Sequence, residues 1–129
     1  MQYAELTEKV IGCAYTVFNG LGAGFLESVY EKALLIELRH AGLKAEPQFK
    51  LDVHYRGEQV GHYFADILVN DVLILELKAV ESLAKAHEVQ LVNYLAATGC
   101  EVGLLFNFGP SDVTVKRKTR TLKRPSRKS

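Results

Sequence analysis

Cysteine is scarce in this chain: Cys13 and Cys100 are the only two, and no Cys-x-x-Cys pair occurs. That excludes the common thiolate frameworks of structural zinc. Two thiols so far apart in sequence read as separate, reduced side chains of a reducing compartment. Histidine occurs four times, and His40, His54 and His62 show no metal-ligand spacing, while His87-Glu88-Val89-Gln90-Leu91 lacks the second histidine of a zinc-protease helix. The glycine run Gly20-Leu21-Gly22-Ala23-Gly24 lacks the later glycine of a dinucleotide fingerprint and the Gly-Lys-Ser/Thr of a phosphate-binding loop. No apolar run approaches the roughly 20 residues of a membrane span. The first residues, Met-Gln-Tyr-Ala-Glu-Leu-Thr-Glu, lack the basic start and apolar middle of an export signal. The expectation is a cytoplasmic chain with no membrane partner.

What is present is an ordinary globular composition, 48% hydrophobic and 24% charged over 129 residues, enough for one domain with a real core. The net charge of +1 hides an asymmetry. Residues 1–110 carry 8 Lys+Arg against 14 Asp+Glu, a balance of −6, whereas residues 111–129 carry 8 Lys+Arg against Asp112 alone, a balance of +7. The sequence therefore divides into a domain over 1–115 and a basic, flexible tail over 116–129. Such a tail, beginning at Lys116 and Arg117, either contacts phosphates in a salt-dependent way or is a solvated terminus.

Periodicity sets the order of elements. Thr7 is placed to cap a helix over about 7–19, with Val10, Ile11, Ala14, Val17, Phe18 and Leu21 on one face. A second helix spans about 25–41 and stops at Gly42. Alternating apolar residues over 49–55 and strands over 60–69 and 73–80 form a meander. Ser82 is placed to cap a third helix over about 83–98. An apolar strand over 102–108, covered on both faces, and a short strand over 113–115 follow. The fold class expected is α/β, a mixed α+β sheet with helices packed against it.

The charges that need an explanation are Asp66, Glu76 and Lys78, which interrupt the apolar hairpin segment Tyr63–Lys78. Strand interiors rarely hold such groups unless they are paired or bind a metal. Glu76 and Lys78, two apart on a strand, share a face. Asp66 joins them only if the turn is odd: a three-residue loop of Asn70, Asp71 and Val72 sets Asp66 opposite Glu76, and a two-residue loop sends it to the other face. Opposed carboxylates, with Cβ atoms about 5 Å apart, repel unless a cation lies between them. A hard divalent ion such as Mg²⁺ would do this and would lower the pKa of bound water. Lys78 would orient that water or offset developing charge. The competing reading is a structural Asp–Lys–Glu network. On the third helix Gln90 and Tyr94, with His87 before them, share a polar edge suited to a nucleotide phosphate or base, or simply to solvent. Glu27 opens the second helix, where the macrodipole favours a carboxylate; it is also a candidate third carboxylate.

Gly24-x-x-Glu27-x-x-Tyr30 resembles the motif that names the GxxExxY proteins. The likeness continues through Ala65-Asp66, Glu76-Leu77-Lys78, Gln90-Leu-Val-Asn-Tyr94 and Gly103-Leu-Leu-Phe-Asn-Phe-Gly109, spanning about residues 5–117. Departures fall at Phe18 and Ala23, where members often carry His and Pro. That family looks like a compact branch of the PD-(D/E)XK nucleases, with an α-β-β-β-α-β core, here with an extra N-terminal helix and a short extra C-terminal strand. The resemblance implies Asp66 and Glu76 as metal ligands with the Leu77 backbone carbonyl, Mg²⁺ or Mn²⁺ as cofactor, and Lys78 and Glu27 as further catalytic groups. It implies Gln90 and Tyr94 as substrate contacts; Tyr30 of the motif and the basic Lys116 and Arg117 are further candidates for that role. The function expected is a metal-dependent phosphodiesterase acting on DNA. The alternative is a non-catalytic module that keeps the fold and binds nucleic acid or protein. A phosphodiesterase acting on RNA or a small nucleotide, and self-association, remain open.

Overall fold

The computed structural model describes residues 3–120. Two helices, α1 (Ala4–Leu21) and α2 (Glu27–His40), precede a meander of β1 (Ala45–Tyr55), β2 (Glu58–Val69) and β3 (Leu73–Lys78). Then come α3 (Lys85–Thr98), β4 (Val102–Phe108) and β5 (Val113–Thr119). The five strands lie in sequence order in one sheet, antiparallel except for β3 beside β4, which run parallel across the α3 connection. The expected α+β mixed sheet and its order of elements are therefore present.

Each helix is set by an apolar stripe. Val10, Cys13, Ala14 and Val17 of α1, at helical spacing, and Tyr30, Leu34, Leu35 and Leu38 of α2 pack on one face of the sheet with Ile67, Leu75, Leu77, Leu104 and Phe106. On the opposite face Leu91, Tyr94 and Leu95 of α3 meet Leu51, Leu68, Ile74 and Leu105. Strand β4 is buried from end to end between these two layers, as its unbroken apolar run requires. Cys13 and Cys100 are both free thiols. No helix among the described residues is long and apolar enough to cross a membrane.

Several boundaries differ from the sequence expectation, each for a local reason. Helix α1 starts at Ala4, so Thr7 lies inside it and its hydroxyl donates to the Ala4 carbonyl at 3.1 Å instead of capping. Helix α3 starts at Lys85, not directly after Ser82; the Ala84 N–H donates to His87 Nδ1 at 3.1 Å, and the His87 N–H returns to the Ala84 carbonyl. The imidazole thus does the work of a capping residue. Helix α2 stops as expected, with Gly42 at φ +82° and the Leu43 N–H closing onto the Leu38 carbonyl. Strand β5 runs on to Thr119, because Glu88 of α3 pairs with Lys118 at 2.6 Å and Lys116 at 3.9 Å, and Arg120 pairs with Glu101. The start of the basic segment, residues 116–119, is therefore sheet rather than tail; residues 121–129 lie outside the described residues.

Glycine matters most at Gly103, where α3 approaches β4. A Cβ there would stand 2.8 Å from Leu91 Cδ1 and 3.2 Å from the Ile74 carbonyl oxygen. Gly12, on the exposed side of α1, has open space around it. In urea unfolding, Gly103→Ala is expected to lose about 1–3 kcal/mol through overpacking. Gly12→Ala is expected to gain about 0.5–1 kcal/mol from helix propensity. Equal effects of the two substitutions would contradict this packing.

Candidate functional site

The site begins with the turn between β2 and β3. Asn70 and Asp71 both take positive φ, 51° and 63°, and the Val72 N–H donates to the Val69 carbonyl at 3.0 Å. Such a tight turn would pair Val69 with Val72 if the strands began at once. Val72 is instead an extra residue, and the ladder runs Val69 with Leu73, Leu68 with Ile74 and Ile67 with Leu75. The register is thus the odd one, which sets Asp66 and Glu76 at the next step.

At that step the ladder stops. The Leu77 N–H donates to Asp66 Oδ2 at 2.7 Å, and the Asp66 N–H donates to Glu76 Oε2 at 3.0 Å. Two side-chain carboxylates replace strand carbonyls, so β2 and β3 part while their buried N–H groups stay satisfied. Beyond this point β2 continues against β1 and β3 against β4. Strand β1 adapts as well. Gln48, across the register from Asp66, has φ +50°, and the alternation of faces slips there. Ile67 packs under α1 and α2, whereas Ala65, also an odd residue, packs under α3. Asp66 therefore reaches sideways along the sheet, not simply out of one face as strict alternation predicts.

Asp66 Oδ1 and Glu76 Oε1 accept no hydrogen bond among the described residues. Burial pushes the Asp66 carboxyl up to about 6, with repulsion from Glu31 and Glu27 adding to it. Burial, then the Asp66 charge, pushes Glu76 up to about 8. Lys78 lies near enough to oppose both shifts, yet it forms no direct ion pair among the described residues. Lys78 is partly exposed one step past Leu77, beside Asn107 of β4. Asn107 is buried and holds Val80 at both backbone groups, accepting its N–H at 2.9 Å and donating to its carbonyl at 2.9 Å. This clasp ends β3 just after Lys78, short of the 73–80 span expected.

Helix α2 brings Glu27 and Glu31, one turn apart, toward Asp66 from one side. Helix α3 brings Tyr94 from the other, its hydroxyl pushed up to about 12 by burial and by the negative charge of Glu76 and Asp66. Gln90 shares that face of α3 and lines a cavity with Tyr94. Among the described residues no three His, Cys, Asp or Glu side chains stand close enough to hold an ion by themselves. The donor set next to the splay is thus two carboxylates with one uncommitted oxygen each. That suits an ion such as Mg²⁺, which keeps several waters and takes one or two protein carboxylates.

Some expected contacts lie elsewhere. Tyr30 is fully buried, stacks on Phe108 with centroids 4.5 Å apart, and donates its hydroxyl to the Gly22 carbonyl at 2.6 Å while accepting the Phe25 N–H at 3.3 Å. It ties down the glycine loop and presents nothing to a substrate, which accounts structurally for the Gly24-x-x-Glu27-x-x-Tyr30 spacing. Lys116 lies on β5, two strands from Glu76, and shares Glu88 with Lys118. Arg117 pairs in register with Leu104, a residue of the α1–α2 core, and so stands on the opposite face from Lys116. The two cannot serve one phosphate track. His87 is spent on its cap. Phe18 packs against the core under α1 and Ala23 is exposed in the loop. The residues that sequence reasoning passed over are Glu31, detectable as Glu27 plus one helical turn, Gln48, and Asn107, a polar residue in an otherwise apolar strand.

A sequence profile described as the PD-(D/E)XK nuclease superfamily matches residues 4–119. The chain belongs to that superfamily. Among solved structures, SSO0001 superposes with a TM-score of 0.57 at 21% identity, covering 94% of this chain and 60% of that one. The chain thus spans about 60% of SSO0001's length, and the likeness is one of fold. An alkaline exonuclease from Laribacter hongkongensis gives a TM-score of 0.48 at 12% identity, over 94% of this chain and 72% of that one. None of the curated proteins compared with the chain matches it. Membership in this superfamily supports a hydrolytic, nuclease-like function.

The raised carboxyls give the metal-free nuclease-like domain a characteristic pH dependence. Asp66 and Glu76 titrate near 4 when unfolded, at 3.8 and 4.5, and higher when folded. The folded state therefore holds more protons on this pair across this range, and the pair's contribution to stability is fully present below pH 4 and is lost as pH rises toward about 8. In chelator, the melting temperature is expected to fall between pH 5 and pH 8 more steeply for the wild type than for Glu76→Gln. Parallel curves would contradict the assignment.

Proposed function

We propose that this chain is a Mg²⁺- or Mn²⁺-dependent phosphodiesterase that cleaves DNA, and that it belongs to the GxxExxY branch of its superfamily. The observation that carries the reading is the splay at Asp66 and Glu76: a half-buried and a buried carboxylate, each with one uncommitted oxygen, beside a Lys78 that forms no ion pair among the described residues. A purely structural Asp–Lys–Glu network would direct the ammonium onto a carboxylate, and Lys78 forms no such ion pair among the described residues. Tyr30 bonds Gly22 and Phe25, on either side of Gly24 in the glycine loop, and Glu27 bears electrostatically on Asp66; both support the GxxExxY reading.

In this reading Asp66, Glu76 and the Leu77 carbonyl would hold the ion. When bound, it would supply Lewis-acid stabilisation of the phosphate and a more acidic water. Lys78, held at the strand end by the Asn107–Val80 clasp, orients the attacking water and stabilises developing negative charge. Glu27, half-buried on α2, bears on Asp66 from the helix side and is a further carboxylate at the site. Gln90 and Tyr94 form the wall against which the substrate strand lies. Tyr94, with its hydroxyl held protonated, donates to a phosphate oxygen.

The test is cleavage of single- and double-stranded DNA with Mg²⁺ or Mn²⁺. Lys78→Ala and Asp66→Asn are each expected to lower the rate by about 100-fold or more, the scale of removing a transition-state donor or base. Metal-dependent cleavage unchanged by both substitutions would sink the proposal.

A further inference from the structure

Beyond the Gln90–Tyr94 wall, a cavity of about 460 Å³ opens between α3 and the β1–β2 hairpin. Its floor and sides are apolar, from Leu51, Val53 and Val89, and Tyr63 forms one wall. The exposed Asn93 and Lys85 line it as well. Tyr63 is 50% exposed although it lies on the α3 side of the sheet, and its ring sits 5.5 Å from that of Tyr94 at an angle of 38°. Tyr63 and Asn93 also line the next cavity along the helix, so the depression continues as a trough. Tyr94 is the common wall: it faces this cavity on one side, and the charges of Glu76 and Asp66 bear on it from the other.

The shape and chemistry fit a flat group with apolar faces and a polar edge. The volume lies in the range of small-molecule sites, about 300–1,000 Å³. A half-exposed tyrosine ring offers a stacking surface, and the side-chain amides of Gln90 and Asn93 offer both donors and acceptors. The exposed Lys85 adds one positive charge to the lining, suited to a phosphate of the same strand. A base in a duplex is stacked on both faces and paired along its edge, so it enters such a cavity only after unstacking, at a cost of a few kcal/mol. An unpaired base enters without that cost.

We propose that the cavity bounded by Tyr63, Val89, Gln90, Asn93 and Tyr94 takes one unpaired nucleobase of the strand whose phosphate lies at Asp66 and Glu76, so that the site selects single-stranded nucleic acid. The proposal rests on the nuclease reading of that site, and its own evidence is the cavity. An apolar peptide side chain is the competing occupant.

The experiment measures anisotropy of the full chain with a labelled oligonucleotide in chelator, so that no cleavage occurs. Three ligands are compared: a single strand, the same strand with one abasic position moved along it, and the duplex. Each is tested with the wild type, Tyr63→Ala and Ala86→Trp. Tyr63 and Ala86 are exposed, so neither change opens the core, and the second blocks the cavity without removing its ring. Contacts of the basic C-terminal segment contribute alike to intact and abasic strands and cancel in the ratio.

The wild type is expected to bind the single strand more tightly than the duplex, and to lose about 5- to 100-fold affinity when the abasic position occupies the cavity. Both variants are expected to lose that sensitivity. An abasic penalty that persists undiminished in Tyr63→Ala and Ala86→Trp, or no penalty in the wild type, overturns the proposal. Cleavage enters separately: a penalty that depends on Tyr63 without metal-dependent cleavage would sink the nuclease reading and with it the catalytic half of the proposal. Cleavage without any abasic penalty would sink the cavity alone.

Discussion

The arrangement depends on one exchange of hydrogen bonds. Where β2 and β3 would continue their ladder, Asp66 accepts the Leu77 N–H and Glu76 accepts the Asp66 N–H. Two backbone donors that would otherwise be buried and unpaired are satisfied by carboxylates, which allows a sheet to open without leaving orphaned groups. The same exchange concentrates negative charge in a buried place. Both carboxyls are pushed upward in pKa, Asp66 to about 6 and Glu76 to about 8. The protein thus carries an electrostatic conflict that a proton relieves partly and that a divalent cation, on the proposed reading, would relieve better.

The rest of the fold serves to hold that opening in place. The extra Val72 sets the odd register, Gln48 takes a left-handed backbone across from Asp66, and Asn107 clasps Val80 to end β3 just past Lys78. Gly103 lets α3 pack closely on β4, which brings Tyr94 down beside the carboxylates. From the other side, Tyr30 fastens the glycine loop so that α2 begins at Glu27. Lys116 and Lys118, by contrast, are drawn to Glu88, so the basic strand reinforces the α3 edge.

Much of this was legible in the sequence because it follows from periodicity and parity. Charges at Asp66, Glu76 and Lys78 in an apolar segment demanded partners, and side-chain alternation reduced the question to the length of one turn. The buried run of β4 and the stop at Gly42 were equally direct. What escaped depended on tertiary competition. Thr7 and Ser82 were sound cap residues by type, but α1 starts a turn earlier and His87 took the cap of α3. Tyr30 resembled a contact residue, yet its phenol ring fills the core. The extension of β5 needed Glu88 and Glu101, which no local pattern connects to Lys118 and Arg120. The slip of faces at Gln48 has no propensity signal, since glutamine rarely adopts positive φ.

The central claim, that the splay between Asp66 and Glu76 is a divalent-cation site, is tested most directly by titrating Mn²⁺ into the metal-free protein in a calorimeter near neutral pH. The account predicts a site in the wild type that releases protons on binding, because the ion displaces them from the raised carboxyls, and that disappears in Asp66→Asn. An equal site in Asp66→Asn, or no site in the wild type, would contradict it.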